Sequence, residues 1–551
     1  MNTPSRCRMR LVALLLAAVL GACTSTPVDL APVPERTGRP HLPEHWHRGA
    51  FIEIFVRAYQ DSDGDGIGDL RGLISRLDYL QELGVSGIWL MPVTRSADGD
   101  HGYATTDFRA IEPAYGSLAD FDELLAQAHR RGIGVIVDYV INHASASHPM
   151  FVSARRGPQA PFRDWFIWAD ERPRGWFIWD KNPWYHTASE PWRFTGPARE
   201  LPPPPAGARG FYFGTFGAHM PDFDFRHPAV KSYHADSLRF WLNRGLDGFR
   251  LDAVPHLVEN DAERWNDQPE SRALTREVVE LVHRYPNRYV VCEATARPED
   301  WGDPAVCGGA FAFGYVHHFV GAAQGKAESV RALAEYYRSR PATMATFVSN
   351  HDIFAGRRLW DQVGGDEAAY RVAAAGYLLQ PGTPFIYYGE EIGKAGVHTL
   401  SGDLPLRAPM SWTADPHTAG FTRGTPFRPI APNAATHNVA AQQADPASLL
   451  NFYKAMLRLR NTRPSIARGS FEQAVADGLV LSFERRLGNE RTLVAINYGR
   501  DEAVLEVAQA SAGAGLAALY PADGGTFRPG ADGRLRLRLP AQAVRVFDLI
   551  R

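Results

Sequence analysis

The chain has 551 residues, of which 45% are hydrophobic and 22% are charged. This is a globular composition, with enough apolar material for a large core and more than one domain. The formal net charge at pH 7 is −2, so there is no electrostatic reason to expect binding to nucleic acid or to an anionic membrane surface.

The first 22 residues have the pattern of a targeting segment and are excluded from the fold. Three arginines precede an apolar run, residues 11–20, that is too short to span a membrane comfortably. The run ends in Leu20-Gly21-Ala22-Cys23, which resembles the lipobox of bacterial lipoproteins. The resemblance implies lipidation of Cys23 and, with Thr24 after it, anchoring in the outer membrane, on the periplasmic or outer face, of a Gram-negative bacterium. A plain secretory signal is the alternative.

Residues 23–45 are rich in proline and are predicted to form an extended tether. The chain has four cysteines. Cys7 leaves with the signal and Cys23 carries the lipid, so only Cys292 and Cys307 could pair in an oxidising compartment. Two buried thiols are the alternative to this disulfide.

An acidic loop follows the first β-type run, residues 51–58. Its four carboxylates would repel one another unless a cation lay among them. The spacing resembles the first part of an EF-hand loop, but position twelve is Gly72 and not Glu, so the loop is not an EF-hand. We predict a structural Ca²⁺ site; the alternative is a solvated turn whose last Asp caps the next helix. The predicted ligands are Asp61, Asp63, Asp65, Ile67 and Asp69.

Strand-like apolar runs then alternate with helical periodicity, which indicates a parallel sheet buried on both faces. With a weak strand at residues 310–313, the count is eight, the number that closes a (β/α)₈ barrel. Residues 144–222 are rich in Trp and Pro and are predicted to be a subdomain inserted after the third strand. Short alternating runs predict a C-terminal antiparallel β domain at residues 469–551. The barrel therefore comprises residues 46–143 and 223–468.

Charged and polar residues end several of these strands: Asp138, Arg250 with Asp252, Glu293, and His351 with Asp352. In a barrel these ends converge on the face where active sites lie. Taken alone, Arg250 and Asp252 share one strand face and equally describe a buried ion pair. Three carboxylates gathered from three strands repel one another, however, and glycoside hydrolysis gives a reason to gather them.

Four segments carry a resemblance to a known family: residues 138–143 (DYVINH), 248–252 (GFRLD), 290–293 (VVCE) and 347–352 (FVSNHD). In combination they resemble the motifs of the α-amylase superfamily of retaining glycoside hydrolases. The resemblance implies that Asp252 is the nucleophile, Glu293 the acid/base and Asp352 the transition-state stabiliser. It implies a substrate-binding set of His101, Tyr103, Asp138, His143, Arg250, His256, His351 and Arg407.

The first functional expectation is a Ca²⁺-dependent, lipid-anchored α-amylase that cleaves α-1,4-glucosidic bonds in starch or maltooligosaccharides. Ala104 favours it, because exo-acting relatives usually carry Asp there to bind the terminal sugar. One alternative is an α-glucosidase or trehalose-forming transglycosidase, and another is a non-catalytic glycan-binding lipoprotein. The expected partners are an α-glucan or maltooligosaccharide and, through the lipid, a membrane. We expect a monomer that binds no nucleic acid.

Overall fold

The structure is a computed structural model that describes residues 28–187, 210–507, 515–532 and 534–550. The predicted signal peptide and Cys23 lie outside the described residues. Within those ranges, none of the helices combines the length and the apolar character needed to cross a bilayer.

Eight parallel strands form the central sheet. They are β1 (Phe51–Ile54), β2 (Gly87–Leu90), β3 (Gly134–Tyr139), β4 (Gly248–Leu251), β5 (Tyr289–Cys292), β6 (Ala310–Phe311), β7 (Met344–Ala345) and β8 (Phe385–Tyr387). Their order is β7-β6-β5-β4-β3-β2-β1-β8, and a parallel bridge between Thr346 and Pro384 joins the two outer strands. All residues of these strands are buried, as expected where helices cover one face and packed side chains fill the other. The predicted barrel is confirmed.

Helices surround this sheet. They span Leu70–Ser75, Leu77–Leu83, Leu118–Arg130, Pro149–Ala154, Pro228–Asn243, Pro269–His283, Pro298–Trp301, His317–Ala323, Ala327–Ser339, Leu359–Gln362, Glu367–Leu379, Val439–Gln443, Leu449–Thr462 and Pro464–Arg468. Local sequence sets their starts: Ser117 and Asp120 form a reciprocal capping box before Leu118. Proline begins the two long helices at Pro228 and Pro269, where its missing N–H costs nothing.

A glycine brings β4 close to β5. Gly248 has φ 152°, and a Cβ built on it would lie 1.7 Å from the carbonyl oxygen of Tyr289, its register partner in β5. Only glycine fits there, because any side chain would collide with that backbone. The close approach helps to set where Arg250 and Asp252, which follow Gly248 in the chain, lie relative to β5.

The sequence predicts strands at residues 346–352 and 384–391, as two of the eight. In the structure β7 ends at Ala345, before the first of these ranges, and β8 ends at Tyr387, within the second. After β8 the chain turns at Gly389, with φ 83°, into the 3₁₀ helix Glu390–Ile392. Isolated apolar runs do not show where a positive-φ glycine ends a strand.

Outside the barrel the chain forms smaller sheets. Thr94–Ser96 pairs with Thr105–Ile111, and the inserted segment contains a three-stranded sheet of Trp168–Ala169, Trp184–His186 and Phe211–Phe213. The C-terminal antiparallel sheet contains Ser470–Asp477, Val480–Leu487, Glu490–Asn497, Gly515–Tyr520, Thr526–Phe527 and Ala543–Ile550, beside the pair Ala503–Val507 and Leu535–Leu539. The predicted C-terminal β domain is confirmed.

Two further features bear on the sequence predictions. Cys292 and Cys307 form a disulfide, so they are not two free thiols.

The described part of the predicted tether packs on the barrel, since the backbone N–H of Val33 donates to Asp236 (2.9 Å) and that of Arg36 to Asn243 (3.0 Å). Both acceptors lie on the helix Pro228–Asn243, so these residues are held on the barrel surface.

Candidate active site

A single guanidinium lies at the centre of the carboxyl ends of β3, β4 and β5. Nη1 of Arg250 contacts Asp138 Oδ1 at 2.9 Å and also contacts Asp252, and its Nη2 lies 2.9 Å from Glu293 Oε2. The register explains the meeting, because Asp138 pairs with Arg250 across β3 and β4. One cation therefore faces three carboxyl groups from three strands.

The residue after Asp252 links two of these groups. Ala253 has φ 52°, in the left-handed region that non-glycine residues rarely adopt. Its backbone N–H donates to Glu293 Oε2 at 3.2 Å. The strained turn therefore holds the end of β4 against the carboxyl group that follows β5.

A cavity of about 610 Å³ opens over these groups, within the size range of small-molecule sites. All three predicted catalytic residues line it, with five of the eight predicted substrate-binding residues. These are His101, Tyr103, His143, Asp252, His256, Glu293, Asp352 and Arg407.

The other three predicted substrate-binding residues, Asp138, Arg250 and His351, lie beneath the cavity lining and are fully buried. The Tyr103 hydroxyl donates to Asp138 Oδ2 (2.8 Å) and lies 2.7 Å from His351 Nε2. The other ring nitrogen of His351 lies 2.5 Å from Glu53 Oε1. These groups hold the lining residues in position, and their direct contact with a sugar stays a prediction.

Ion pairs close one wall of the cavity. Arg407 Nη2 lies 3.1 Å from Asp352 Oδ1 and 3.3 Å from Asp403 Oδ2, and its Nη1 lies 3.6 Å from Asp100 Oδ2. Next to these ion pairs, Asp98 Oδ2 lies 3.2 Å from His101 Nδ1. Asp98, Asp100 and Arg407 are buried, whereas the side chain of Asp403 is 37% exposed.

A profile of the α-amylase catalytic domain matches residues 53–469. The chain belongs to the α-amylase family. The trehalose synthase/amylase TreS of Mycobacterium tuberculosis is 34% identical over 510 residues, covering 83% of this chain and 82% of that protein. A probable α-glucosidase of Rhizobium meliloti is 31% identical over 513 residues, covering 84% and 91%.

Among solved structures, an α-glucosyl transfer enzyme, XgtA, superimposes with a TM-score of 0.74 at 28% identity, covering 92% of this chain and 100% of that one. These matches make the chain a glycoside hydrolase or transglycosidase of the α-amylase family. The names of the relatives favour the glucosidase and transglycosidase alternative over the α-amylase that was expected first.

Ala104, which favoured α-amylase in the sequence, does not face the cavity of this α-amylase family member. It is completely buried and packs in a small cluster with Ala97 and Met220. Its backbone N–H donates to Asp98 Oδ2 at 3.1 Å. The side chain of Ala104 is therefore not part of the cavity lining.

Burial dominates the electrostatics of the carboxyl groups. It raises the pKa of Asp252 and of Glu293 to about 7 each, and that of Asp138 to about 6. Arg250 opposes this in all three cases by favouring the charged form. One guanidinium cannot neutralise three carboxylates, so near neutral pH the group retains protons, as a site with one acid and one base requires.

We predict a narrow, bell-shaped dependence of kcat/KM on pH with its maximum near 7. As pH rises, Asp252 loses its proton and becomes nucleophilic, which gives the acidic limb. At higher pH Glu293 loses the proton it must donate, which gives the basic limb. Each limb of the profile reports the coupled titration of Asp252 and Glu293 and not the pKa of one residue, because both groups contact Arg250. Initial rates between pH 4 and 10 test this, and an acidic limb near pH 4, an ordinary carboxyl value, would contradict it.

Three buried imidazoles of the site are uncharged at neutral pH. Burial lowers the pKa of His143 to about 3 and those of His256 and His351 to about 4. Neutral imidazole offers one donor and one acceptor, which suits hydrogen bonds to sugar hydroxyls. His143 Nε2 is buried and has no hydrogen-bond partner within the described residues, so a bound sugar could satisfy it.

Several residues of the site were not predicted from the sequence. Trp179, Phe216 and Phe354 line the cavity, and Glu53 supports His351 from below. Glu53 is the one charged residue in the buried strand FIEI, and that signal could have found it. The aromatic residues sit in loops and have no such pattern.

The acidic loop brings together three of its predicted ligands. Oxygens of Asp61, Asp63 and Asp65 lie within 4.8 Å of one another. Asp69 does not join them, because it caps the helix Leu70–Ser75 by accepting from Gly72 N (2.7 Å) and also accepts from Ser62. Converging carboxylate oxygens are the donors that Ca²⁺ prefers, so the residues present fit a calcium ion.

Proposed function

We propose that the protein is a retaining α-glucosidase or glucosyl-transferring enzyme that acts on short α-linked gluco-oligosaccharides from their non-reducing end. The buried Arg407, which lines the cavity and pairs with Asp352, carries this proposal. A glucan chain that continued past Asp352 would have to pass through the wall that contains Arg407 and break its buried ion pairs, which is costly. The cavity therefore takes a terminal sugar at the wall and the rest of the substrate toward its mouth.

In the first step a carboxylate oxygen of Asp252 attacks the anomeric carbon. The glycosidic bond breaks, and its oxygen takes the proton of Glu293 as the leaving sugar departs. A glycosyl ester on Asp252 results, with the configuration inverted once. Arg250 favours the charged form of Asp252 before the attack, and Glu293 holds its proton because burial raises its pKa.

In the second step Glu293, now a carboxylate, takes a proton from an incoming hydroxyl. The oxygen of that hydroxyl bonds to the anomeric carbon, and Asp252 leaves as a carboxylate, so the starting configuration returns. Water as the acceptor gives hydrolysis, whereas a sugar hydroxyl gives transfer. Asp352 stabilises the transition state next to Arg407, whose guanidinium lies 3.1 Å away. Tyr103 lines the floor and stacks on the sugar ring.

Maltoheptaose and its derivative blocked at the non-reducing end test this proposal together. We expect glucose or glucosyl-transfer products from the first minutes with the free substrate, and no cleavage of the blocked one. Early mid-length products with equal cleavage of the blocked substrate would establish the runner-up, an α-amylase. Inactivity on both, and on maltose, would favour a glycan-binding protein.

Trehalose formation is one specific case of the proposed glucosyl transfer. The relative at 34% identity is named a trehalose synthase/amylase, and segment 293–300 of this chain faintly resembles trehalose-forming enzymes. Maltose is the substrate that separates the possibilities. Trehalose as a product would identify an intramolecular transglycosidase, whereas glucose with longer oligosaccharides would identify an α-glucosidase with transfer activity.

The proposal extends to Ca²⁺ and to the lipid anchor. Asp61, Asp63 and Asp65 would hold Ca²⁺, with the carbonyl of Ile67 as a further ligand, and the ion would offset the repulsion between these carboxylates. Asp61 also contacts Thr422, and Arg423 donates to the carbonyl of Ser62 at 2.8 Å. The loop that would hold the ion therefore contacts a segment 361 residues later in the chain. The lipid on Cys23 would retain the enzyme at the outer membrane.

Removal of calcium should lower thermal stability. We expect excess EDTA to lower Tm by about 5 °C, because a ligand present well above its Kd stabilises by a few kcal/mol. Added Ca²⁺ should restore Tm, and Mg²⁺ at the same concentration should not. The Asp63→Asn variant should have a low Tm that EDTA does not change, whereas Asp122→Asn, at a surface ion pair, should respond like the wild type. An EDTA-insensitive wild-type Tm would contradict the calcium site.

A further inference from the structure

The disulfide between Cys292 and Cys307 is attached directly to the acid/base residue. Cys292 ends β5, and Glu293 is the next residue in the chain. Both cysteines are buried, and the bond closes a loop over a sequence separation of 15. The loop therefore begins with Glu293, and it also contains Thr295, which lines the catalytic cavity.

The backbone on both sides of the peptide between Cys292 and Glu293 is held by neighbouring segments. The N–H of Cys292 donates to the carbonyl oxygen of Gly309 at 2.9 Å, and the N–H of Glu293 donates to that of Leu251 at 3.0 Å. Gly309 follows Cys307 closely in the chain. The end of β5 is therefore joined to this one returning segment twice, by a hydrogen bond and by a covalent bond.

The carboxyl group of Glu293 depends on the position of this backbone. Its contacts with Arg250 Nη2 (2.9 Å) and with the N–H of Ala253 (3.2 Å) both involve Oε2. Contacts at one oxygen leave the group free to pivot about that oxygen when the backbone moves. A general acid must lie within hydrogen-bond distance of the leaving oxygen, and a displacement of about 1 Å can lower the rate by about 10²-fold.

The outer part of the loop has a separate attachment to the barrel. Asp267 accepts hydrogen bonds from Trp301 Nε1 (3.0 Å) and from Arg297 Nε (2.7 Å). The N–H of Asp267 donates to the carbonyl oxygen of Pro255 at 2.7 Å. These bonds would keep the loop on the barrel if the disulfide were broken, so the effect of breaking it would be concentrated at the base of the loop, where Glu293 lies.

We propose that the disulfide between Cys292 and Cys307 is a positioning element for Glu293, so that breaking it impairs acid/base catalysis and spares nucleophilic attack by Asp252. This inference rests on the proposed function. Asp252 follows β4, and its partner Arg250 lies on that strand, so neither residue belongs to the disulfide loop. Disulfides persist in oxidising compartments, so full activity would require the oxidised protein.

The Cys307→Ala variant removes the disulfide without changing the residue next to Glu293. Maltose and α-glucosyl fluoride then separate the two roles, because only maltose needs a proton on its leaving oxygen. We expect kcat/KM for maltose to fall about tenfold or more and kcat/KM for α-glucosyl fluoride, which covers the steps through formation of the glucosyl ester, to stay within about twofold. The ratio of the two values is independent of the fraction of folded enzyme.

Reduction of the wild-type protein gives a second route to the open form. A dithiothreitol thiolate attacks one sulfur, the protein is left with two thiols, and the reagent becomes its cyclic disulfide. Alkylation with iodoacetamide and mass spectrometry count the new thiols. The ratio of kcat/KM for maltose to that for α-glucosyl fluoride should fall as these thiols appear, and reoxidation with oxidised glutathione should restore it.

Asp300→Asn is the matched control, because Asp300 lies in the same loop and forms surface ion pairs with Arg272 (3.3 Å) and Arg297 (3.7 Å). Its ratio should equal that of the wild type. A Cys307→Ala or reduced enzyme whose ratio stays within twofold of the wild type would overturn the positioning role, and so would equal losses on both substrates. A wild type that turns over neither substrate would instead overturn the proposed function itself.

Discussion

The Asp252→Asn variant is expected to lose about 10⁴-fold in turnover of maltose and of α-glucosyl fluoride. An amide oxygen is a poor nucleophile, so the glycosyl ester cannot form. The loss should be similar for both substrates, because the first step needs the nucleophile whatever the leaving group. Initial rates at pH 7, with fluoride and glucose measured separately, give the comparison.

The change replaces one oxygen atom with an NH₂ group beside Arg250, so the fold must be checked independently. Circular dichroism and Tm should stay close to those of the wild type, since Asp138 and Glu293 still contact the guanidinium. Asp122→Asn, on the surface, should keep activity within twofold. A folded Asp252→Asn enzyme with more than about 1% of wild-type turnover would contradict the role of Asp252.

The Glu293→Gln variant should separate the two chemical steps. Turnover of maltose is expected to fall by about 10²–10⁴-fold, the usual contribution of a general acid. Fluoride needs no protonation to leave, so α-glucosyl fluoride should still give a burst of one fluoride per enzyme. The glucosyl-enzyme should then accumulate, because no base activates water.

Azide provides the rescue for this variant. It attacks the ester without needing a general base, so added azide should restore fluoride turnover and yield α-glucosyl azide. The same addition should have little effect on the wild type. If the burst is absent while the protein is folded, or if azide restores nothing, then Glu293 is not the acid/base.

Much of the barrel could be predicted because its strands are buried on both faces. Runs such as that of β3 are continuously apolar until Asp138, so both the strand and its polar end are visible in the sequence. The ends of β7 and β8 were not predictable in the same way. Gly389 turns the chain at φ 83°, and a glycine after an apolar run does not reveal which conformation it adopts.

Most residues of the candidate site could be predicted from the sequence, but most of the contacts between them could not. The spacing of Arg250 and Asp252 predicted one shared face and a contact, which the structure has. That the same guanidinium also reaches Asp138 and Glu293 depends on the register of β4 with both neighbours. Register between strands far apart in the chain is set by packing and by Gly248, not by local pattern.

Substrate specificity was the property that the sequence predicted least well. Ala104 was interpreted as an open end of the cleft, yet it is buried, and the wall is built by Arg407 and Asp100 from segments about 300 residues apart in the chain. Trp179 belongs to a loop without periodicity, so its place in the cavity lining follows only from the folded structure. Loops carry such functions because a rigid scaffold positions them.

The most direct test of the central claim is to trap the glycosyl-enzyme and locate the sugar. A slow fluorinated substrate, 5-fluoro-α-glucosyl fluoride, should add the mass of one fluoroglucosyl group to the intact protein. Peptide mapping by mass spectrometry should then place that mass on Asp252, in the peptide containing Gly248–Leu251. A label on Asp352 or Glu293, or steady turnover with inversion of configuration and no trapped ester, would contradict a retaining mechanism built on Asp252.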